Sequence, residues 1–129
     1  MSSELEKGLI TKLTGQTTAG SRVYPRLPEQ ATYPAIRYQR ISTTRNHSLD
    51  ANVGVTEAGI QIDCIATTYS QAKTLADAIR VILHGFKGTW GTLIARHVSL
   101  ETENDFYEQD GDRVTHWVAQ RYRVWTNMD

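Results

Sequence analysis

The sequence holds 1 cysteine and 3 prolines, and its 14 Lys and Arg are matched by 14 Asp and Glu. Each scarcity excludes something. One thiol, Cys64, cannot close an intrachain disulfide. A chain with no net charge is poorly suited to gripping nucleic acid, a task that usually takes clustered Lys and Arg. No stretch approaches the roughly 18 apolar residues of a membrane span, so no membrane partner is expected. The opening MSSELEKGL lacks the basic start and apolar run of a secretory signal, and a reducing cytoplasm is the expected setting. Low net charge also leaves little self-repulsion to oppose association.

What is present suits one domain spanning residues 1–129, with 40% hydrophobic and 22% charged residues. Its organising stretch is 56–85. In TEAGIQIDCIAT, Ala58, Ile60, Ile62, Cys64 and Ala66 fall on one parity, with Gly59, Gln61 and Asp63 on the other. Alternate side chains of a strand point to opposite faces, so this is a half-buried strand with Cys64 inward. The period then lengthens to about 3.6. Ala72, Leu75, Ala76, Ile79, Ile82 and Leu83 share one side of a helix that Ser70 can cap and Gly85 can stop.

Upstream, Ser3 and Glu6 make a capping box for a short helix with the stripe Leu5, Leu9, Ile10 and Leu13, weakened by Gly8. Residues 16–33 read as a connector, because Pro25 and Pro28 forbid a central strand. Ile36 and Tyr38 alternate with Arg37 and Gln39 in a strand over 35–44. Ile41 breaks the phase, which predicts a bulge or a two-sided end. RNHSLDANVGV, 45–55, has turn chemistry and is expected to be a long hairpin tip.

HGFKGTWG, 84–91, lacks the Gly-Lys-Ser/Thr ending of a phosphate loop and reads as a glycine-rich turn. Residues 93–100 form a third strand. ETENDFYEQDGDR, 101–113, reads as an acidic loop ending in the Asp110-Gly111 turn signal, and 114–126 is the last strand.

Catalytic constellations fail on spacing. His47, His84, His97 and His116 offer no i, i+4 metal pair, although His97 and His116 could meet across adjacent strands. An inward Cys64 is a poor nucleophile, and a flexible acidic loop is a poor general acid and base. No catalytic residue, metal site or cofactor is assigned, and the expectation is a protein that is not an enzyme. A small enzyme using Cys64 or a histidine is the distant alternative.

The last strand differs. Trp117, Ala119, Arg121, Arg123 and Trp125 share one face, opposite Val118, Tyr122 and Val124. Tryptophan and arginine are enriched at interfaces, but they could equally cover the sheet's own second face. Both readings stay open. Stacking on nucleic-acid bases is disfavoured by the neutral chain.

The order of these signals resembles the phage tail terminator (tail completion, head-to-tail joining) family. The carriers are Arg22-Val23-Tyr24-Pro25, the run from Tyr33-Pro34-Ala35-Ile36 to Ile41-Ser42, Ile60-Gln61-Ile62-Asp63, Tyr69-Ser70-Gln71-Ala72, Leu83-His84-Gly85 and Arg121-Tyr122-Arg123-Val124-Trp125. The resemblance implies a structural virion protein of the tail and neck, assembled in the host bacterial cytoplasm. It implies a homohexameric ring that caps the tail tube and meets a head-completion or stopper protein, with DNA passing through unbound. Another neck component, such as a connector, is the near alternative.

The expected fold is α+β: an antiparallel sheet of about four strands with two helices on one face, ordered α-β-β-α-β-β. Trp117, Arg121, Arg123 and Trp125, with Arg45, Asn46, His47 and Leu49 of the hairpin tip, are the candidate subunit or partner contacts.

Overall fold

The computed structural model describes residues 4–20, 22–27, 32–46, 55–91, 93–111 and 113–127. The chain runs α1 (Glu4–Leu13), β1 (Val23–Tyr24), β2 (Ala35–Asn46), β3 (Val55–Ala66), α2 (Tyr69–Leu83), β4 (Gly88–Trp90), β5 (Leu93–Asp110) and β6 (Arg113–Asn127). The strands form one curled 6-stranded sheet in the order β1-β2-β3-β6-β5-β4.

The α+β class holds, and the expected sheet is corrected in three ways. It has 6 strands rather than four. It is mixed, because β1 runs parallel to β2 while every other pair is antiparallel. The element order is α-β-β-β-α-β-β-β. The added strands, β1 and β4, sit at the two edges, where a short strand beside Pro25 or Gly91 meets no obstacle.

The parity read in β3 and β6 is observed. Ala58, Ile60, Ile62, Cys64 and Ala66 join Val118, Tyr122 and Val124 in the core, together with Ala72, Leu75, Ala76, Ile79 and Leu83 of α2. Each fully buried Leu or Ile there contributes about 2 kcal/mol by leaving water. Thr68, not Ser70, caps α2: its side chain accepts from the Gln71 N–H, and its backbone is extended, as a cap requires.

The phase break at Ile41 is a β-bulge, since the pairing with β3 slips between Arg40 and Ser42. Gly59 lies opposite, and a Cβ there would come within 2.6 Å of Ser42 Oγ. The bulge therefore uses the space that a side chain would fill.

α1 packs on β4, β5 and α2 through Leu5, Leu9 and Leu13. Its Gly8 is no mere weakness, because the fully buried Trp90 indole lies against it and donates from Nε1 to the Leu5 carbonyl at 2.8 Å. Glu6 binds Arg40 of β2 at 2.8 Å. Ser3, the expected cap, lies outside the described residues.

The expected acidic loop is largely strand. β5 continues to Asp110 and pairs with β6 down to Asp110↔Arg113 across a turn at Gly111. Its charges are met from outside the stretch. Lys73 of α2 lies 3.6 Å from Glu103 and 3.3 Å from Asp105, and Arg123 lies 3.3 Å from Glu101.

Candidate functional site

The helices cover one side of the sheet, and the other side carries the residues expected at an interface. Pairing fixes this geometry. In β3–β6 register, Ile65 faces Trp117, Asp63 faces Ala119, Gln61 faces Arg121, Gly59 faces Arg123 and Glu57 faces Trp125. All belong to the parity opposite the core. Trp117, Arg121, Arg123 and Trp125 are therefore brought onto one open face, as the alternation predicts.

Each is held differently. Trp117 stacks on Phe106 of β5, with centroids 5.4 Å apart and planes at 20°. Trp125 packs on His97 at 5.5 Å, with the Arg123 guanidinium 5.9 Å from its ring. Both tryptophans are half-buried by these neighbours, so part of their surface is covered by the chain itself. Arg123 bridges strands, pairing with Glu57 at 3.0 Å and Glu101 at 3.3 Å.

Arg121 is exposed and makes no ion pair with any described residue. It borders two depressions on this face. One, of about 530 Å³, also involves Ser42, Gly59 and Glu101; the other, of about 350 Å³, involves Gln61, Asn104 and Phe106. A guanidinium with unused donors between two hollows can take a carboxylate from a partner.

Phe106 and the polar residues Thr102 and Asn104 are contributors that the sequence pattern misses. The signal was available in the shared parity of 102, 104 and 106, masked by the acids between them.

The hairpin-tip candidates are only partly described. Arg45 and Asn46 end β2, paired with Thr56 and Val55. His47 and Leu49 lie outside the described residues.

His97 and His116 do not meet. His97 sits opposite Trp125, whereas His116 sits opposite Tyr107 near the far end of the hairpin. No group of His, Cys, Asp or Glu suited to a metal occurs among the described residues. Cys64 is fully buried, and loss of solvation, reinforced by Asp63 and Glu103, pushes its thiol well above the ordinary range. That state is the opposite of an activated nucleophile.

The sequence matches the family "Tail completion protein gp17" over residues 7–127. The chain belongs to that family. It is thus a structural protein of a phage-type tail, located in the virion. Among solved structures it is similar to a chain of "Virion of native gene transfer agent (GTA) particle", with 13% identity and a TM-score of 0.70. That alignment covers 98% of this chain and 100% of the other, and at such identity it speaks for the fold. No curated protein sequence matches.

Proposed function

We propose that this tail completion protein is a tail terminator. Copies close into a hexameric ring on the head-proximal end of a tail tube, end its growth and present a surface to a head-completion or stopper protein. The observation that carries this reading is the family match over residues 7–127. A ring of head-to-tail contacts that closes on itself cannot propagate, so it ends a polymer where an open contact would extend it.

The open face supplies the chemistry for holding a neighbour. It offers the stacked Phe106–Trp117 pair and the Trp125 ring, aromatic groups of the kind that anchor interfaces, together with the exposed guanidinium of Arg121. The neutral chain suits a conduit, because a basic lumen would retain the phosphates of passing DNA. The segment 45–55, whose composition is that of a long turn, is the candidate contact to tube or neck.

Electron microscopy of particles assembled with a tagged copy tests the proposal. A single ring of label between the last tube layer and the neck is expected. Label seated against the portal would make the protein another neck component instead.

A further inference from the structure

The two edges of the sheet are covered unevenly and in complementary places. β1 pairs with β2 only at Ile36 and Arg37, and β4 pairs with β5 only from Leu93 to Ala95. The end of α2 extends the cover of β5 a little further. There the Gly85 N–H donates to the Val98 carbonyl at 2.7 Å, and the Leu100 N–H donates to His84 Nδ1 at 3.1 Å. Among the described residues, no strand follows the outer edge of β2 past Arg37 or that of β5 past Ala95. A long unpaired edge is a template for another strand.

The charges along these strips are met within the chain: Arg40 of β2 by Glu6, Glu101 of β5 by Arg123, and Glu103 and Asp105 by Lys73. Among the described residues, neither free edge therefore holds a block of unpaired like charge that would keep another strand away. Exposed apolar groups lie on the same strips, Ile41 on β2 and Phe106 on β5.

Direction agrees as well. β2, β3, β6 and β5 alternate in direction, so β2 and β5 run opposite ways. Rotating one copy about an axis lying along the sheet brings its β5 beside the β2 of the next in antiparallel sense.

The strips are staggered. Ser42, mid-strip on β2, lies level with Gly59, while Phe106, mid-strip on β5, lies level with Trp117 and hence Ile65. At about 3.3 Å per residue the offset is roughly 20 Å, and four strand spacings of about 4.8 Å give a repeat of roughly 19 Å. Strips so placed meet when the strands tilt about 45° from the ring axis, close to the tilt by which sheets close into barrels.

We propose that the ring closes through a staggered antiparallel ladder, the free edge of β2 in one copy adding to the free edge of β5 in the next. This inference rests on the ring reading and names the contact that makes it. The occupant of each edge is a second copy of this chain.

The test is disulfide trapping in the full chain: Ser42→Cys combined in turn with Asn104→Cys, Phe106→Cys or Glu108→Cys, all on the open face. Within one chain β3 and β6 separate these positions, far beyond the roughly 7 Å reach of a disulfide, so any bond joins two copies. Buried Cys64 stays out of the reaction. Mild oxidation should convert at least one pair into a covalent ladder ending in a closed ring, reversed by reductant. Ser42→Cys with Val81→Cys, on the exposed side of α2, should give none. Mass photometry of the same samples reports ring formation independently. Rings without edge cross-links, or equal linking through Val81→Cys, overturn the ladder and leave the ring intact. Edges that trap only a different virion protein overturn it too. A chain that stays monomeric with and without tubes overturns both.

Discussion

Arg37 of β2 holds Asp63 of β3 by two hydrogen bonds to one carboxylate oxygen, 2.8 Å from Nε and 2.6 Å from Nη2. Asp63 is 4% exposed although it lies on the face without helices, and Gln61 Nε2 donates to its other oxygen at 3.2 Å. This pair ties β2 to β3 on the face without helices. Arg37→Met should cost about 2 kcal/mol, because a nearly buried carboxylate loses its main partner. The double variant with Asp63→Asn should recover most of that loss, and chemical denaturation of both variants beside the parent chain measures it.

Gly8→Ala separates packing from helix propensity. In an open helix the change would stabilise by about 1 kcal/mol. Here a Cβ would overlap the Trp90 ring, and overpacking costs about 1–3 kcal/mol. A lower melting temperature is expected; a higher one would mean that α1 does not rest on Trp90.

Stability should be flat in pH on account of Cys64 and Tyr122 up to about 9, then fall. Burial raises both groups in the folded chain above their ordinary values of 9.0 and 10.0. Above those values the unfolded chain loses protons that the folded chain keeps, so unfolding is favoured as pH rises. Urea titrations between pH 8 and 11 should show the decline, and Cys64→Ala should make it shallower. Iodoacetamide should modify native Cys64 only at the rate of unfolding; rapid labelling of the folded protein would contradict its burial.

Arg121→Glu should change stability by no more than about 0.5 kcal/mol, as expected for an exposed residue that makes no ion pair among the described residues. The same change should abolish association with virion components while Arg121→Lys retains part of it. Pull-down with isolated tails reads the difference.

What the sequence made legible was local. Strict alternation in 58–66 and 117–125 placed two central strands, their parity and the four residues of the open face. The misfit of Ile41 announced the bulge. The rest depended on partners distant in the chain. Residues 101–110 read as a loop because their acids have no bases nearby, whereas Lys73 and Arg123 supply them across elements. β1 and β4 have 2 and 3 residues, too short for any period to show. Gly8 and Trp90 lie far apart in the chain, and only the fold reveals that one makes room for the other.

The central claim is that this tail completion protein closes into a ring and ends a polymer. The most direct measurement is the length distribution of tail tubes polymerised with increasing amounts of it. Shorter tubes, each bearing one ring at a single end and ceasing to grow once capped, are the predicted result. Tubes of unchanged length beside a chain that stays monomeric would contradict it.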